Sequence, residues 1–271
     1  MYNLNIFEYN AAVNKLSDFF RSKNFIKVPT QSELSILAAC EDPATISQFI
    51  FDGINYPLPQ TGQLRLEEYI LRFTEMTGVW CETTSYRNEP FPIPGRHDKI
   101  FPMCEFEGRG DVNDLIAISK EILKVFNFPE PVEVNYEDIC EEYGVSTIEA
   151  PQESRLYKEY GPVVILKTFP LRSHPFWNMK YSGNDSYSKV DIILYGIETF
   201  GMAERSCNVD EMKRQFLHIS GGKYSGLLFS KFGKERVLKE LDEYLSLPMT
   251  PRYGGGIGLT RLVRAINGSV R

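Results

Sequence analysis

The stretch RYGGGIGLTRLVRAI, residues 252–266, places four glycines within five positions and an arginine, Arg261, three residues after the last of them. Glycine loses more backbone freedom on folding than any other residue, so a run this dense needs an offsetting reason. The following LTRLVRAI repeats apolar residues at Leu259, Leu262, Val263 and Ile266, the spacing of a helix with one buried face. The stretch therefore predicts a glycine-rich strand running directly into a packed helix. A strand without side chains lets a flat ligand lie against backbone. Arg261, in the first helical turn, would meet that ligand with a guanidinium suited to a phosphate or an aromatic face. A flexible tail is the bland alternative, and the buried helical stripe argues against it. No lysine follows the glycines, as a Walker loop requires, and no βαβ unit follows them, as a dinucleotide fingerprint requires.

The rest of the chain supplies a scaffold for that strand. Residues 6–21 carry Phe7, Ala11, Leu16, Phe19 and Phe20 at helical spacing. Residues 25–30 read as a strand ending at Pro29, 64–76 as a helix, 78–86 as a strand rich in β-branched and aromatic residues, and 89–98 as a proline-rich loop. A strand over 99–108 follows, then a helix opened by Asp111 with Leu115, Ile118, Ile122 and Val125 along one side. Residues 163–169 and 189–199 read as strands, and 209–219 and 234–247 as helices. This order does not alternate strand and helix, which predicts an α+β fold with a largely antiparallel sheet flanked by helices, in one domain over 1–271. With 42% apolar residues the chain has material for a substantial core. A net charge of −6 and no basic run longer than two residues argue against a dedicated nucleic-acid binder. The five cysteines are scattered and never spaced as C-x-x-C, which excludes a disulfide framework or zinc site and fits a reducing cytoplasm. No leader-like N-terminus and no apolar run long enough for a membrane span is present.

Three polar clusters stand out. Arg87 and Glu89 lie two apart at the end of the 78–86 strand, so they face one side. A loop with Arg96 and His97 follows, and the returning strand carries Glu105 and Glu107 on one face. A surface ion pair is the default for Arg87 and Glu89 alone, but a hairpin this polar reads as a site wall. Asp191 interrupts an apolar strand, where an unpaired carboxylate is costly. It either pairs with a nearby Lys or Arg or, with Glu198, supplies oxygen ligands of the kind Mg²⁺ takes together with phosphates.

These blocks together resemble the class II aminoacyl-tRNA synthetases. YRNE (86–89) looks like their motif 2, GGGIGLTR (254–261) like motif 3, and FIKVPT (25–30) is similar to motif 1, the dimer element. Within that family, QTGQLRLEEY (60–69), GRHDKIFPMCEFEG (95–108) and ETFGMAER (198–205) resemble segments of asparaginyl-type enzymes and of ammonia-dependent asparagine synthetases with their archaeal relatives. The resemblance, over about residues 15–266, implies ATP and Mg²⁺ as cofactors and a homodimer. It implies Arg87 on the α-phosphate, with Glu89, His97, Phe101, Glu198, Gly256, Gly258 and Arg261 completing the ATP site; Arg261 would stack on adenine or hold the γ-phosphate. Arg87 and Arg261 would be the catalytic pair, and Glu198, helped by Asp191, would bind the metal. Thr61, Gln63, Glu105, Arg172 and Arg205 would surround the amino acid, with Glu105 on its ammonium and Arg205 on a carboxylate.

The implied reaction is aspartate–ammonia ligation through aspartyl-AMP, releasing pyrophosphate and AMP and forming asparagine. The motif 1 segment begins within about 30 residues of the N-terminus, which leaves no room for the anticodon-binding barrel of the tRNA enzymes. With the acidic balance, this favours small-molecule substrates over tRNA. Phe200 and Gly201 stand where the related enzymes carry two serines, one of which helps hold Mg²⁺ or substrate. That departure motivates two alternatives: a paralogue activating another amino acid for a non-tRNA acceptor, or a non-catalytic nucleotide-binding one. An acid in the loop 31–48, Glu41 or Asp42, is expected to govern amide formation, and His174 is expected near the substrate beside Arg172.

Overall fold

The structure, a computed structural model, describes residues 4–31, 33–37, 45–173 and 176–268. Glu41, Asp42 and His174 lie outside the described residues. Helix α1 (Ile6–Ser22) buries Ala12, Leu16, Phe19 and Phe20 and leads into the short strand β1 (Phe25–Lys27). A small hairpin, β2 (Gln48–Phe51) and β3 (Ile54–Pro57), precedes helix α2 (Gln63–Arg72). Strands β4 (Gly78–Tyr86) and β5 (Ile100–Arg109) form a long antiparallel pair joined by the loop bearing Arg87 to Lys99. Helix α3 (Val112–Val125) begins at a capping box, in which the Asp111 carboxylate accepts from the Asn113 and Asp114 amides.

Strand β6 (Val132–Asn135), helices α4 (Tyr136–Tyr143) and α5 (Ala150–Tyr160) and strand β7 (Val163–Pro170) follow. Then come β8 (Tyr181–Gly183), β9 (Ser186–Leu194) and β10 (Ile197–Glu204). The chain continues through α6 (Val209–His218), α7 (Lys223–Phe232), α8 (Lys234–Leu245), β11 (Arg252–Gly258) and α9 (Leu259–Ile266).

The expected α+β architecture is present. Among the described residues one sheet runs in the order β1-β4-β5-β11-β10-β9-β7-β6, with β8 beside β9. Its central pairs are antiparallel, and the pairs at its two ends, β1–β4 and β6–β7, are parallel. Residues 189–199, expected as a single strand, are instead the arms of a hairpin. Tyr195 and Gly196 both take positive φ, 51° and 81°, and make the two-residue turn that matches strand twist.

Opposite faces of the sheet are covered differently. Trp80, Phe106, Phe200, Met202, Ile192 and Ile257 pack against α1, α3 and α9 in one apolar core. On the other face, Val79 and Cys81 meet α2, α6, α7 and α8. Val164, Leu166 and Ile193 meet α4 and α5 at the far end of that face. Between these two coverings the middle of the sheet is left open as a cleft.

The glycine-rich strand β11 sits in the centre of the sheet, between β5 and β10. A Cβ at Gly254 would lie 2.2 Å from the Glu107 carboxyl carbon, and one at Gly255 2.3 Å from Met202 Cγ on the opposite face. A Cβ at Gly256 would lie 2.3 Å from the Met103 methyl. The expectation of bare backbone under a ligand therefore needs correction at Gly254 and Gly255, where protein side chains already fill the space. Gly254→Ala is expected to destabilise the fold by about 1–3 kcal/mol through forced displacement of Glu107. Urea unfolding of the variant measures this; an unchanged midpoint would contradict the packing described.

Candidate active site

The cleft floor is set by strand register. Glu105 pairs with Gly256, Gly256 with Gly201, and Gly201 with Asp191, so these four residues form one row across β5, β11, β10 and β9 on the same face. Two carboxylates about 14 Å apart, three strand spacings, thus bracket two adjacent residues without side chains. Glu198 would face away from this row in a regular strand. A β-bulge between Glu198 and Phe200 shifts the register and turns Glu198 to the cleft side. The same register sends Phe200 into the core, fully buried, and leaves Gly201 on the floor.

The cleft encloses about 820 Å³ of empty space, part of it open to solvent. All the residues assigned to ATP from the sequence, Arg87, Glu89, His97, Phe101, Glu198, Gly256, Gly258 and Arg261, line it together with Arg96, Asp98 and Met103. The Arg87 guanidinium lies 5.6 Å from the centre of the Phe101 ring. Arg261 donates from Nη1 to the Glu198 carbonyl at 2.5 Å and from Nη2 to the Arg96 carbonyl at 3.0 Å. His97 approaches Glu89 at 3.9 Å. Burial holds the His97 pKa below its ordinary value, opposed by Glu89 and reinforced by Arg261, Arg96 and Arg87. Burial likewise lowers the Arg261 value, opposed by Glu198, with Arg96 and Arg87 adding to the depression. Three arginines that repel one another around one cavity make a site for an anion of several charges.

Asp191 pairs with Lys189, Nζ to Oδ2 at 2.7 Å, as the simpler sequence reading expected. Its other oxygen, Oδ1, is buried without a hydrogen-bond partner. Burial pushes the Asp191 carboxyl up to about 7; Lys189 opposes this, and the carboxylates of Glu198 and Glu153 add to it. The point that a Cβ on Gly201 would occupy is 3.0 Å from Glu198 Oε1 and 3.8 Å from Asp191 Oδ1. An orphaned carboxylate oxygen and a second one flanking a bare position fit a hard cation such as Mg²⁺. Among the described residues no group of three or more acidic, histidine or cysteine side chains could hold a metal.

The residues assigned to the amino acid divide. Glu105 is enclosed beside the cleft: it accepts from Thr61 Oγ, Thr83 Oγ and the Gly62 amide, the last at 2.8 Å. Burial raises its pKa against these hydrogen bonds. Gln63 donates to the Gly255 carbonyl at 2.7 Å and accepts from Arg205 Nη2 at 2.5 Å. Arg205 also donates to Glu107, at 3.0 Å from Nε and 2.6 Å from Nη2, and lies 3.7 Å from Glu67. It is 1% exposed, so its fork is engaged inside the protein rather than presented to a ligand.

Arg172 is not brought to the cleft. It follows β7 and grips Glu137 of α4, with Nε on the Ser146 carbonyl at 2.8 Å. It borders a neighbouring cavity beyond Asp191. Sequence reading assigned no role to Glu67, Glu153, Lys189 or Arg252. Glu67 and Arg252 form a fully buried pair at 2.7 Å that braces α2 against β11.

Comparison with known proteins bears on this geometry. The family described as "tRNA synthetases class II (D, K and N)" matches residues 4–271. The chain belongs to that family. Asparaginyl-tRNA synthetase from Pyrococcus horikoshii, solved with asparaginyl-adenylate, superposes with a TM-score of 0.80 at 18% identity, covering 96% of this chain and 64% of that one. The Entamoeba histolytica asparaginyl enzyme, also with asparaginyl-adenylate, gives 0.76 at 18%, covering 97% and 64%. The aspartyl-tRNA synthetase of the same organism gives 0.73 at 17%, covering 97% and 55%. At these identities the likeness is one of fold, and this chain spans less than two thirds of each structure. No curated protein matches it. Among the described residues no helix is long and apolar enough to cross a membrane.

The buried Glu107 carries a testable electrostatic signature. Burial pushes its carboxyl up to about 8, opposed by Arg205 and reinforced by Glu67, and its Oε2 makes no hydrogen bond. Between the unfolded value of 4.5 and about 8 the folded protein keeps a proton that the unfolded chain releases. The Glu107 contribution to stability is therefore full below pH 4.5 and lost as pH rises through about 8. Urea midpoints measured from pH 5 to 9 are expected to fall less steeply for Glu107→Gln than for the natural protein. Equal slopes would mean that Glu107 is ionised in its pair with Arg205.

Proposed function

We propose that this chain uses ATP to adenylate an amino acid, and that the pair it joins is aspartate and ammonia. The observation that carries the reading is the convergence of Arg87, Arg96 and Arg261 with Glu198 on one cleft, with Asp191 beside Glu198 at Gly201 on its floor. Three cations facing two carboxylates suit a nucleotide triphosphate and its metal. Adenylate-bound relatives of the same fold support the placement.

Arg87 holds the α-phosphate, and Phe101 flattens its guanidinium against the cleft wall. Arg261, oriented by the Glu198 and Arg96 carbonyls, meets the nucleotide with its remaining N–H groups. Neutral His97, held beside Glu89, leaves the arginines as the cationic groups. Asp191 and Glu198 hold Mg²⁺, which when bound neutralises charge on the phosphates. An oxygen of the aspartate β-carboxylate attacks the α-phosphorus, and the bond to the β-phosphate oxygen breaks to release pyrophosphate. Ammonia nitrogen then attacks the acyl carbon; AMP leaves with its oxygen, and nitrogen gives up a proton to solvent. The protein contributes positioning and charge stabilisation to both steps.

A second reading is favoured by Arg205 and Gly201. Arg205 is already bound by Glu107 and Gln63, and Gly201 widens the floor between Glu198 and Asp191. Both suit an amino acid other than aspartate, passed to a non-tRNA acceptor.

The test is product analysis from ATP, Mg²⁺ and aspartate with and without ammonium, alongside pyrophosphate exchange over the common amino acids. Asparagine plus AMP, formed only with ammonium, supports the ligase. Exchange with a different amino acid supports the second reading. Absence of exchange with every amino acid would sink both. In the active assay, Arg261→Ala is expected to lower exchange by about 100-fold.

A further inference from the structure

We propose that Glu153, on α5, is a positioning residue for the nucleotide cleft; this rests on the ATP reading above. Glu153 comes from a helix with no other part in the site, and its side chain is 12% exposed. Its Oε2 accepts from the backbone amide of Glu198 at 2.8 Å and from Nη2 of Arg96. Arg96 in turn donates from Nη1 to the Gly196 carbonyl, in the β9–β10 turn, at 3.3 Å. Arg261 bonds the carbonyls of Arg96 and Glu198. The bonds close into a ring: Glu153 to Arg96, Arg96 to Arg261, Arg261 to Glu198, and Glu198 back to Glu153. Three members of that ring line the cleft; Glu153 sits behind them.

The ring ties together pieces that nothing local would hold. Glu198 lies at the bulge, where the regular ladder is interrupted. Arg96 lies in a proline-rich loop that makes no strand pairing. One carboxylate fixes the backbone of the first and the guanidinium of the second. The orientation cost of these groups is then met on folding rather than on binding. A buried ion pair placed only for stability would not need to accept the amide of a cleft carboxylate as well.

The test compares folded variants by calorimetric titration with ATP in excess Mg²⁺, and by the Mg²⁺ dependence of pyrophosphate exchange. Glu153→Ala is expected to weaken Mg²⁺-dependent ATP binding by about 10–100-fold. Glu153→Gln keeps an oxygen for the Glu198 amide and is expected to recover most of that loss. Arg96→Ala added to Glu153→Ala is expected to cost less than Arg96→Ala alone, because the two act through one ring. Binding by Glu153→Ala within twofold of the natural protein overturns the proposal. If the alanine variant does not fold, Glu153→Asp, too short to reach both the Glu198 amide and Arg96, decides instead: a measurable rise in the Mg²⁺ requirement supports positioning, and none overturns it. A natural protein that binds no ATP overturns the nucleotide reading and this proposal with it.

Discussion

The missing side chains of β11 govern the layout of the site. A central strand with glycine at 254, 255 and 256 lets its neighbours approach on both faces: Glu107 and Met103 from β5 on the cleft side, Met202 from β10 on the core side. Any residue with a Cβ at these positions would push one of those side chains away. The closeness that results packs Glu105 and Glu107 on the cleft face of β5, where they meet Thr61 and Gln63 at the start of α2 and Arg205 just after β10. Burial of so many polar groups is tolerated because Glu105 is satisfied by Thr61, Thr83 and the Gly62 amide and Glu107 by Arg205; removing a partner would leave a buried polar group alone.

The cleft itself is an opening between two apolar coverings. Helices α6, α7 and α8 with α2 close one end of the sheet face and α4 with α5 the other. What lies between is a row of Glu105, Gly256, Gly201 and Asp191, rimmed by the arginines of the 87–99 loop and of α9. Charge follows this layout. The arginines come from the loop and α9, the loop adds Glu89 and Asp98, and β10 adds Glu198, so cations and carboxylates are interleaved around the glycines.

Much of this was legible along the chain. The glycine run, Arg87 with Glu89, and Glu105 with Glu107 are local patterns whose meaning depends on strand periodicity alone, and the strands over 78–86 and 163–169 fall where alternation and β-branched content put them. The hairpin within 189–199 was read through as one strand because its turn, Tyr195-Gly196, is only two residues long and flanked by apolar residues. Arg172 was placed by likeness of its segment, but the fold pairs it with Glu137 from a helix 35 residues earlier. Glu153 acts through partners brought near by the sheet, and no spacing rule reports a contact between residues 45 apart.

The most consequential feature is one of register rather than of residue type. Between Asp191 and Glu198 lie a two-residue turn and, just after Glu198, one extra residue in the strand. Without the bulge, Glu198 and Phe200, two residues apart, would share one face, so either the carboxylate would enter the apolar core or the ring the cleft. With it, a carboxylate joins Asp191 over Gly201, and the aromatic ring joins Phe106 and Trp80 in the core. The Phe200–Gly201 pair thus divides into two separate effects. Phe200 fills a core position and leaves the chemistry untouched, and only Gly201 changes the floor. A serine there would place its side chain in the space between Glu198 Oε1 and Asp191 Oδ1, 3.0 and 3.8 Å from its Cβ. Glycine leaves that space open, and on the proposed reading residue 201 is the position where metal shell and substrate size are set together.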